Sequence, residues 1–389
     1  MNLAKKIINY LAWTYLVVCL LQVLILPREF LGFLDNIFFL FALTQVVLDS
    51  ISNKELRPIF IIFSGFFLWT FVSQFYSNYS NGWFSNLSYQ LVILKLLCIL
   101  LLVNNVLKKD ENAAIFRRIV DVMFLALVFL NLFIAINPFG IGESIQNLYT
   151  SSNYTDFVYY HEPGVFRLSG TQLNPNNNAI VWMCFAVYYL QFLKRKWALL
   201  LLAIGILFLT QSRTNVIALI ACLFIYFLIQ FWSKRNMKRL IYVALPILAG
   251  ALFFILKSSY LRALFTGEAF VSKSFLIRLD NYMYLSNFSL FELFIGKGVI
   301  NKPIDTLGFS LDSEYLGLIF QFGIIGLFCW LALLIGILKR NKDRNLQVYL
   351  FVLVIIINSF TNLTFLNLQI GVVLIFFLEV SLKIRTFNK

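Results

Sequence analysis

Residues 257–326, KSSYLRALFTGEAFVSKSFLIRLDNYMYLSNFSLFELFIGKGVINKPIDTLGFSLDSEYLGLIFQFGIIG, form the longest break in a chain that otherwise runs from one apolar segment to the next. The stretch gathers Arg262, Arg278, Asp280, Asp305, Asp312 and Glu314 in one place. Most of it cannot lie in lipid, where a charged side chain at the centre of a span costs about 2.5 kcal/mol or more. Most other interruptions are short and merely basic, so the chain reads as a set of membrane spans with a few long polar loops.

Composition points the same way. Of 389 residues, 60% are hydrophobic and 13% charged, with a mean hydropathy of +0.82, which excludes a soluble multidomain protein. The net charge of +14 sits in short Lys/Arg clusters between apolar runs, the pattern of topology signals rather than of nucleic-acid binding. Cys19, Cys98, Cys184, Cys222 and Cys329 all fall inside apolar runs without CxxC spacing, so neither a disulfide framework nor a zinc site is expected. Ile7 to Leu26, behind Lys5 and Lys6, lacks a small-residue cleavage site and reads as a retained first helix.

With roughly 20 apolar residues needed per span, an all-α polytopic fold with about twelve transmembrane helices is expected. The spans lie near 7–26, 30–48, 59–76, 87–107, 118–137, 175–193, 198–211, 213–232, 240–256, 313–338, 347–361 and 364–382. The segment 198–211 is short and abuts 213–232, so the pair is either a hairpin or one broken helix. If Lys5 and Lys6 are cytoplasmic, every second connection is basic, both termini lie inside, and 138–174 and 257–312 become two large outer loops of a single membrane domain over 1–389. Lys95, Asp35 and Asp121 are charges within or near the ends of spans; Lys95 should face the bundle interior, towards a carboxylate or a lipid diphosphate.

The inner loops are too short to house a reaction, and no Walker or Gly-rich nucleotide loop occurs. The chemistry is therefore expected outside. The first outer loop ends in His161-Glu162-Pro163-Gly164-Val165-Phe166-Arg167-Leu168-Ser169-Gly170-Thr171-Gln172-Leu173-Asn174-Pro175-Asn176-Asn177-Asn178. Asn174 and Asn176 could serve as amide donors at the membrane surface, or simply cap a helix start. Arg213 terminates a short apolar run, either as an interfacial anchor or as a cation for a phosphate, which Arg grips in bidentate fashion. Asp312-Ser313-Glu314 opens a span, where an N-cap and a first-turn acid compete with a catalytic reading.

Taken in order, Arg167-x-x-Gly170-Thr171 with Asn174-Pro175-Asn176, Ser212-Arg213 opening a helix, Arg278 upstream of Gly296-Lys297-Gly298, and a polar pair before Tyr315-Leu316 and Gly323-x-x-Gly326 resemble the O-antigen polymerase and ligase superfamily. The resemblance covers roughly residues 160–330. O-antigen ligases typically show His-Asn where this chain has Asp312-Ser313, which aligns it with the polymerase branch.

The resemblance implies glycosyl transfer between two undecaprenyl-diphosphate-linked saccharides at the outer face of the inner membrane, without cofactor or metal. Arg167, Arg213 and Arg278 would face the diphosphate leaving group. Asp312 and Glu314, with Glu162 and His161 behind them, would be candidates for the base, and Asp280 would orient Arg278. A chain-length regulator and a repeat-unit flippase would be partners. A ligase attaching finished polymer to a lipid core, or a flippase, are the alternative readings.

Overall fold

The computed structural model describes residues 2–27, 32–52, 57–81, 87–107, 110–149, 167–232, 249, 256–267, 273–298, 313–341 and 345–384. Among them the chain is all helix and turn. The helices are α1 (Asn2–Leu24), α2 (Gly32–Ser52), α3 (Arg57–Asn81), α4 (Leu87–Val106), α5 (Asp110–Ile136), α6 (Ile141–Asn147), α7 (Pro175–Leu190) and α8 (Leu193–Leu209). They continue as α9 (Arg213–Trp232), α10 (Ser259–Thr266), α11 (Lys273–Met283), α12 (Leu290–Ile295), α13 (Glu314–Arg340), α14 (Leu346–Ser359) and α15 (Leu368–Ile384). This is an all-α polytopic membrane protein.

Five of the described helices are long and apolar enough to cross a membrane over Lys6–Leu24, Arg57–Tyr76, Ala114–Ile136, Arg213–Gln230 and Glu314–Arg340. Shorter apolar stretches occupy Asn36–Leu48, Gln90–Val106 and Leu346–Ser359. Eleven of the twelve expected spans fall on described helices, and 240–256 lies almost wholly outside the described residues. The question left open at 198–211 resolves into two helices: α8 ends at Leu209, Gln211 adopts a left-handed conformation at φ 50°, and α9 starts at Arg213.

Which helix sits where follows from how its apolar residues are spread. A helix that is apolar all round has no face to give to solvent and belongs in the middle. Accordingly α7 buries every residue from Asn178 to Leu190, and α15 every residue from Ile370 to Val380, with Leu96 and Phe365 closed over Gly371. Around this centre Phe124, Phe185, Tyr189 and Phe377 interlock edge to face, with ring centroids 4.9–5.1 Å apart in the closest pairs. Helices α3, α5 and α9 instead turn Leu68 and Phe75, Val122 and Phe129, and Ile217 and Phe224 outward, as an apolar solvent demands.

Charges near the span ends are paired at the basic end of the bundle. Asp121 on α5 receives Lys196 and the Tyr189 hydroxyl, and Glu379 of α15 receives both arms of Arg340 and the Asn104 amide. Of the intramembrane charges singled out in the sequence, Asp121 is thus accounted for; the Asp35 side chain lies outside the described residues.

The Gly296-Lys297-Gly298 motif meets the Gly323 motif of α13. At Gly323 (φ 68°, ψ −173°) α13 leaves helical geometry, in a region that is essentially glycine's alone. The carbonyls of Phe320, Gln321 and Phe322 lose their partners one turn on, and outside donors replace them. Lys297 N reaches Phe320 O at 2.7 Å, Gly298 N reaches Gln321 O at 2.9 Å, and Trp69 Nε1 reaches Phe322 O at 2.8 Å, with Ser73 Oγ also on Gln321 O. The end of α12 is laid into the break so closely that a Cβ on Gly323 would stand 2.0 Å from Phe294 O. Gly323→Ala should therefore lower stability by about 1–3 kcal/mol from the backbone alone, and further through the clash. Gly65→Ala on α3, where a Cβ meets nothing within 4 Å, should be neutral or slightly stabilising. Thermal melts of the two purified variants check the contrast.

The same α12 carries a capping box, in which Ser289 and Glu292 bond each other's backbone while Lys297 Nζ lies 3.3 Å from Glu292. The Ser289 amide, and then the Ser289 hydroxyl and Lys297, hold the Glu292 carboxyl below its ordinary range. Its folded value lies under its unfolded one, so this small contribution is present at neutral pH and fades as pH falls through the folded value. The hydrogen-exchange protection factor of the Leu293 amide, referred to the intrinsic rate at each pH, should fall at acid pH, and in Glu292→Ala it should already be low at neutral pH.

Candidate active site

The Asn-rich re-entry before α7 is built by its own side chains. Asn174 caps the helix, accepting from Asn176 N at 2.8 Å and Asn177 N at 3.4 Å, with Pro175 supplying a first residue that needs no amide partner. Asn178 points inward, donating to Asn131 Oδ1 at 2.9 Å and Leu168 O at 3.2 Å and accepting from Trp182 Nε1 at 3.0 Å. Gly170, at φ 55°, passes so near this pair that a Cβ would stand 2.3 Å from Asn131 Oδ1. Thr171 and Gln172 then donate to Leu24 O and Val23 O, both at 2.8 Å, closing the C-terminal end of α1. The Gly-Thr-Gln turn is what fixes the loop to the bundle.

Arg167 is held where that turn meets the end of α8. Leu168 N bonds Leu209 O at 3.0 Å, Arg167 Nη2 donates to Asn176 Oδ1 at 3.0 Å, and its Nε lies 3.4 Å from Thr210 O. The side chain is buried, and Asn176 orients it. Three residues beyond Thr210, half-buried Arg213 opens α9. Two of the expected cations are thus anchored on one turn.

From there the chain of contacts runs to the second loop through a segment that sequence reasoning missed. The connection expected at 362–363 extends from Phe360 to Asn367, and α15 starts only at Leu368. Thr214, next to Arg213, meets Thr361 hydroxyl to hydroxyl at 2.8 Å. Asn362 O accepts Glu314 N at 3.1 Å, and Ser313 Oγ donates to Ser359 O at 3.0 Å while capping α13 through Leu316 N. The Tyr282 hydroxyl bonds Ser313 Oγ, tying in α11; Arg278 stands four residues earlier on that helix. Burial pushes the Tyr282 phenol above its ordinary value, so it keeps its proton at neutral pH.

Glu314 is fully buried, and its carboxylate is wholly committed. Oε1 accepts from Phe365 N and Leu366 N, both at 3.1 Å, and Oε2 from Thr364 N at 2.8 Å and Leu366 N at 3.3 Å. A carboxylate offers about four acceptor positions, and the backbone amides take them all. These bonds hold the 364–366 turn against the start of α13. The rival readings given for residues 312–314 divide accordingly: Ser313 is the cap, Glu314 the tie, and Asp312 lies outside the described residues together with His161 and Glu162. The Arg278 side chain, and with it the contact expected with Asp280, also lies outside them.

The polar run Asn358, Ser359, Thr361, Asn362, Thr364, Asn367 was a visible signal for the missing segment, since six such residues in ten sit poorly in a continuous span. Its assignment to span ends hid it.

Residues 198–331 match the family model described as O-antigen ligase. That range, about a third of the chain, is what resembles the family. It includes the Arg213 turn, α11 with Arg278, and the Ser313–Glu314 start of α13, whereas Arg167, Asn174, Asn176 and the 360–367 segment lie outside the matched range. A search of curated proteins finds no match. The match and the fold together support a multi-pass membrane enzyme of the O-antigen ligase/polymerase type.

Proposed function

We propose that the protein polymerises undecaprenyl-diphosphate-linked oligosaccharide repeat units at the outer face of the inner membrane, with both termini cytoplasmic. The observation that carries this is the gathering, at one end of the bundle, of Arg167, the Arg213 turn and the Ser313–Glu314 helix start around the 360–367 segment. In the proposed reaction a hydroxyl oxygen at the nonreducing end of a fresh repeat attacks the anomeric carbon of the growing chain. The bond from that carbon to the diphosphate breaks, the hydroxyl proton passes to a base, and the carrier diphosphate leaves. Arg167, Arg213 and Arg278 stabilise the charge that develops on the diphosphate, in place of a metal. Asn176 holds Arg167 in position, and Asn174 holds the helix start that presents Asn176. Asp312 is the first candidate for the base, with Glu162 and His161 behind it; Glu314 positions the loop.

The matched family description favours one second reading, a ligase that attaches finished polymer to a lipid core. Asp312-Ser313 at the start of α13 supports the polymerase. A deletion strain separates the two. Loss of this gene should leave core carrying a single repeat, whereas bare core would mean a ligase. A chain-length regulator and a repeat-unit flippase are the partners this function needs.

A further inference from the structure

Helix α12, in the stretch expected as an outer loop, ends against the middle of two membrane-spanning helices rather than at their tips. The break at Gly323, into which that end is laid, lies nine residues from the start of α13 at Glu314, about 14 Å along the axis at 1.5 Å per residue. On α3, which runs antiparallel with Ile59 and Ile62 beside Gly336, the partners of the same break are Trp69 and Ser73. Trp69 stands seven residues, about 10 Å, below Tyr76, the last residue of that helix's apolar span. The hydrocarbon of one leaflet is about 15 Å deep, half of a core of about 30 Å. Both helices therefore place the end of α12 inside it.

A ring contact marks where the descent begins. Phe291, in the first turn of α12, meets the Tyr76 ring with 4.9 Å between centroids, at the level where tyrosines mark a membrane interface. Tyr76 tops a stripe of α3, with Val72 one turn below and Leu68 two turns below, that is exposed along the apolar span. On α12 Leu290, Phe291 and Phe294 are exposed as well, Leu290 at 78%. Three large apolar side chains within six residues thus continue the surface that α3 gives to lipid.

The rest of the segment meets the demands of hydrocarbon. Non-helical backbone at such depth persists only where protein buries and pairs it. Gly296 and Gly298 are buried, and the amides of Gly296, Lys297 and Gly298 bond the carbonyls of Glu292, Phe320 and Gln321 at 2.7–2.9 Å. The only charged side chains from Ser289 to Gly298 pair with each other. Lys297, at the deep end, turns its ammonium back to Glu292 at 3.3 Å and over the Phe288 ring at 4.3 Å, towards the start of the helix, as a long cationic side chain does when its stem lies in lipid.

We propose that α12 is a re-entrant wedge whose Leu290, Phe291 and Phe294 face is immersed in the acyl chains of the leaflet at the Ser313 end of the bundle. That this is the outer leaflet rests on the orientation in the proposed function; the immersion does not. The hydroxyl contact of Tyr282 with Ser313 keeps the preceding α11 at the start of α13 while α12 reaches inward, so the loop carries a membrane anchor of its own.

The test uses the full chain in liposomes of phosphatidylethanolamine and phosphatidylglycerol, with p-benzoylphenylalanine placed singly at Phe294, Leu290, Leu68 or Asn287 and lipid adducts identified by mass spectrometry after illumination. Phe294 and Leu290 should give phospholipid adducts in a yield like that of Leu68 on the exposed stripe of α3, and several-fold above that of exposed Asn287 in the turn before α12. Attachment at Phe294 should fall on the acyl chain. Should the Phe294 variant fail to fold, the more exposed Leu290 carries the same expectation. Yields no higher than at Asn287, adducts confined to the glycerol or headgroup, or crosslinked dimers of the chain in place of lipid adducts would each overturn the proposal, the last by giving this face to a second copy.

Discussion

Glu314→Ala is expected to lower the stability of the purified protein by about 3–5 kcal/mol, because it strands three buried backbone amides at once and each costs about 1–3 kcal/mol before relaxation. Glu314→Gln keeps one acceptor oxygen and should lose less, about 1–3 kcal/mol. The graded order Glu, Gln, Ala in a thermal melt is the signature of a structural tie. A group that takes a substrate proton would behave differently: Glu314→Gln would melt like the wild type and yet make no polymer. Finding that second pattern would restore Glu314 to the chemistry and remove the positioning role assigned to it.

The second large effect is expected at the arginines. Arg213→Ala should abolish long-chain polysaccharide while single repeats still reach their acceptor, since the leaving diphosphate loses a cation that costs about 2.7–4 kcal/mol to remove from a comparable oxyanion site, a rate loss of 10²–10³. Arg278→Ala should act likewise. Asn176→Ala should reproduce a weaker form of the Arg167→Ala defect, because Asn176 holds Arg167 by a single hydrogen bond at 3.0 Å and need not touch substrate itself. Gel ladders from a deletion strain complemented with each variant, normalised to protein in the membrane, read all four. A full-length ladder surviving both Arg213→Ala and Arg278→Ala would mean that the diphosphate is held elsewhere.

The spans were legible because an apolar solvent imposes length and composition on any helix that crosses it. The alternation of basic connections was equally plain, and the structure sorts Lys196 and Arg340 to one end and the Gly-Thr-Gln turn and Ser313 to the other. Asn174 as a cap was readable from Asn-Pro alone, since that cap is made by neighbours in sequence. What could not be read were partnerships across distance. Nothing near Glu314 announces that it meets Thr364 to Leu366, some fifty residues away, and nothing near Gly323 announces that Gly296 and Lys297 will pack into its break. In both places a buried backbone group chose the partner, and backbone groups carry no letter in the sequence. The 360–367 segment was lost for a related reason: Leu363, Phe365 and Leu366 look like span residues and are used instead as walls and ties around polar turns.

The central claim is that the arginine-bearing end of the bundle joins lipid-linked repeats to one another. The purified chain in liposomes, given only undecaprenyl-diphosphate-linked repeat units, should produce a stepwise ladder of lipid-linked oligomers on a gel, and the Arg213→Ala protein should leave single repeats. Repeat units that stay single with the wild-type protein until a lipid-core acceptor is added, and are then consumed by transfer to it, would contradict the polymerase account.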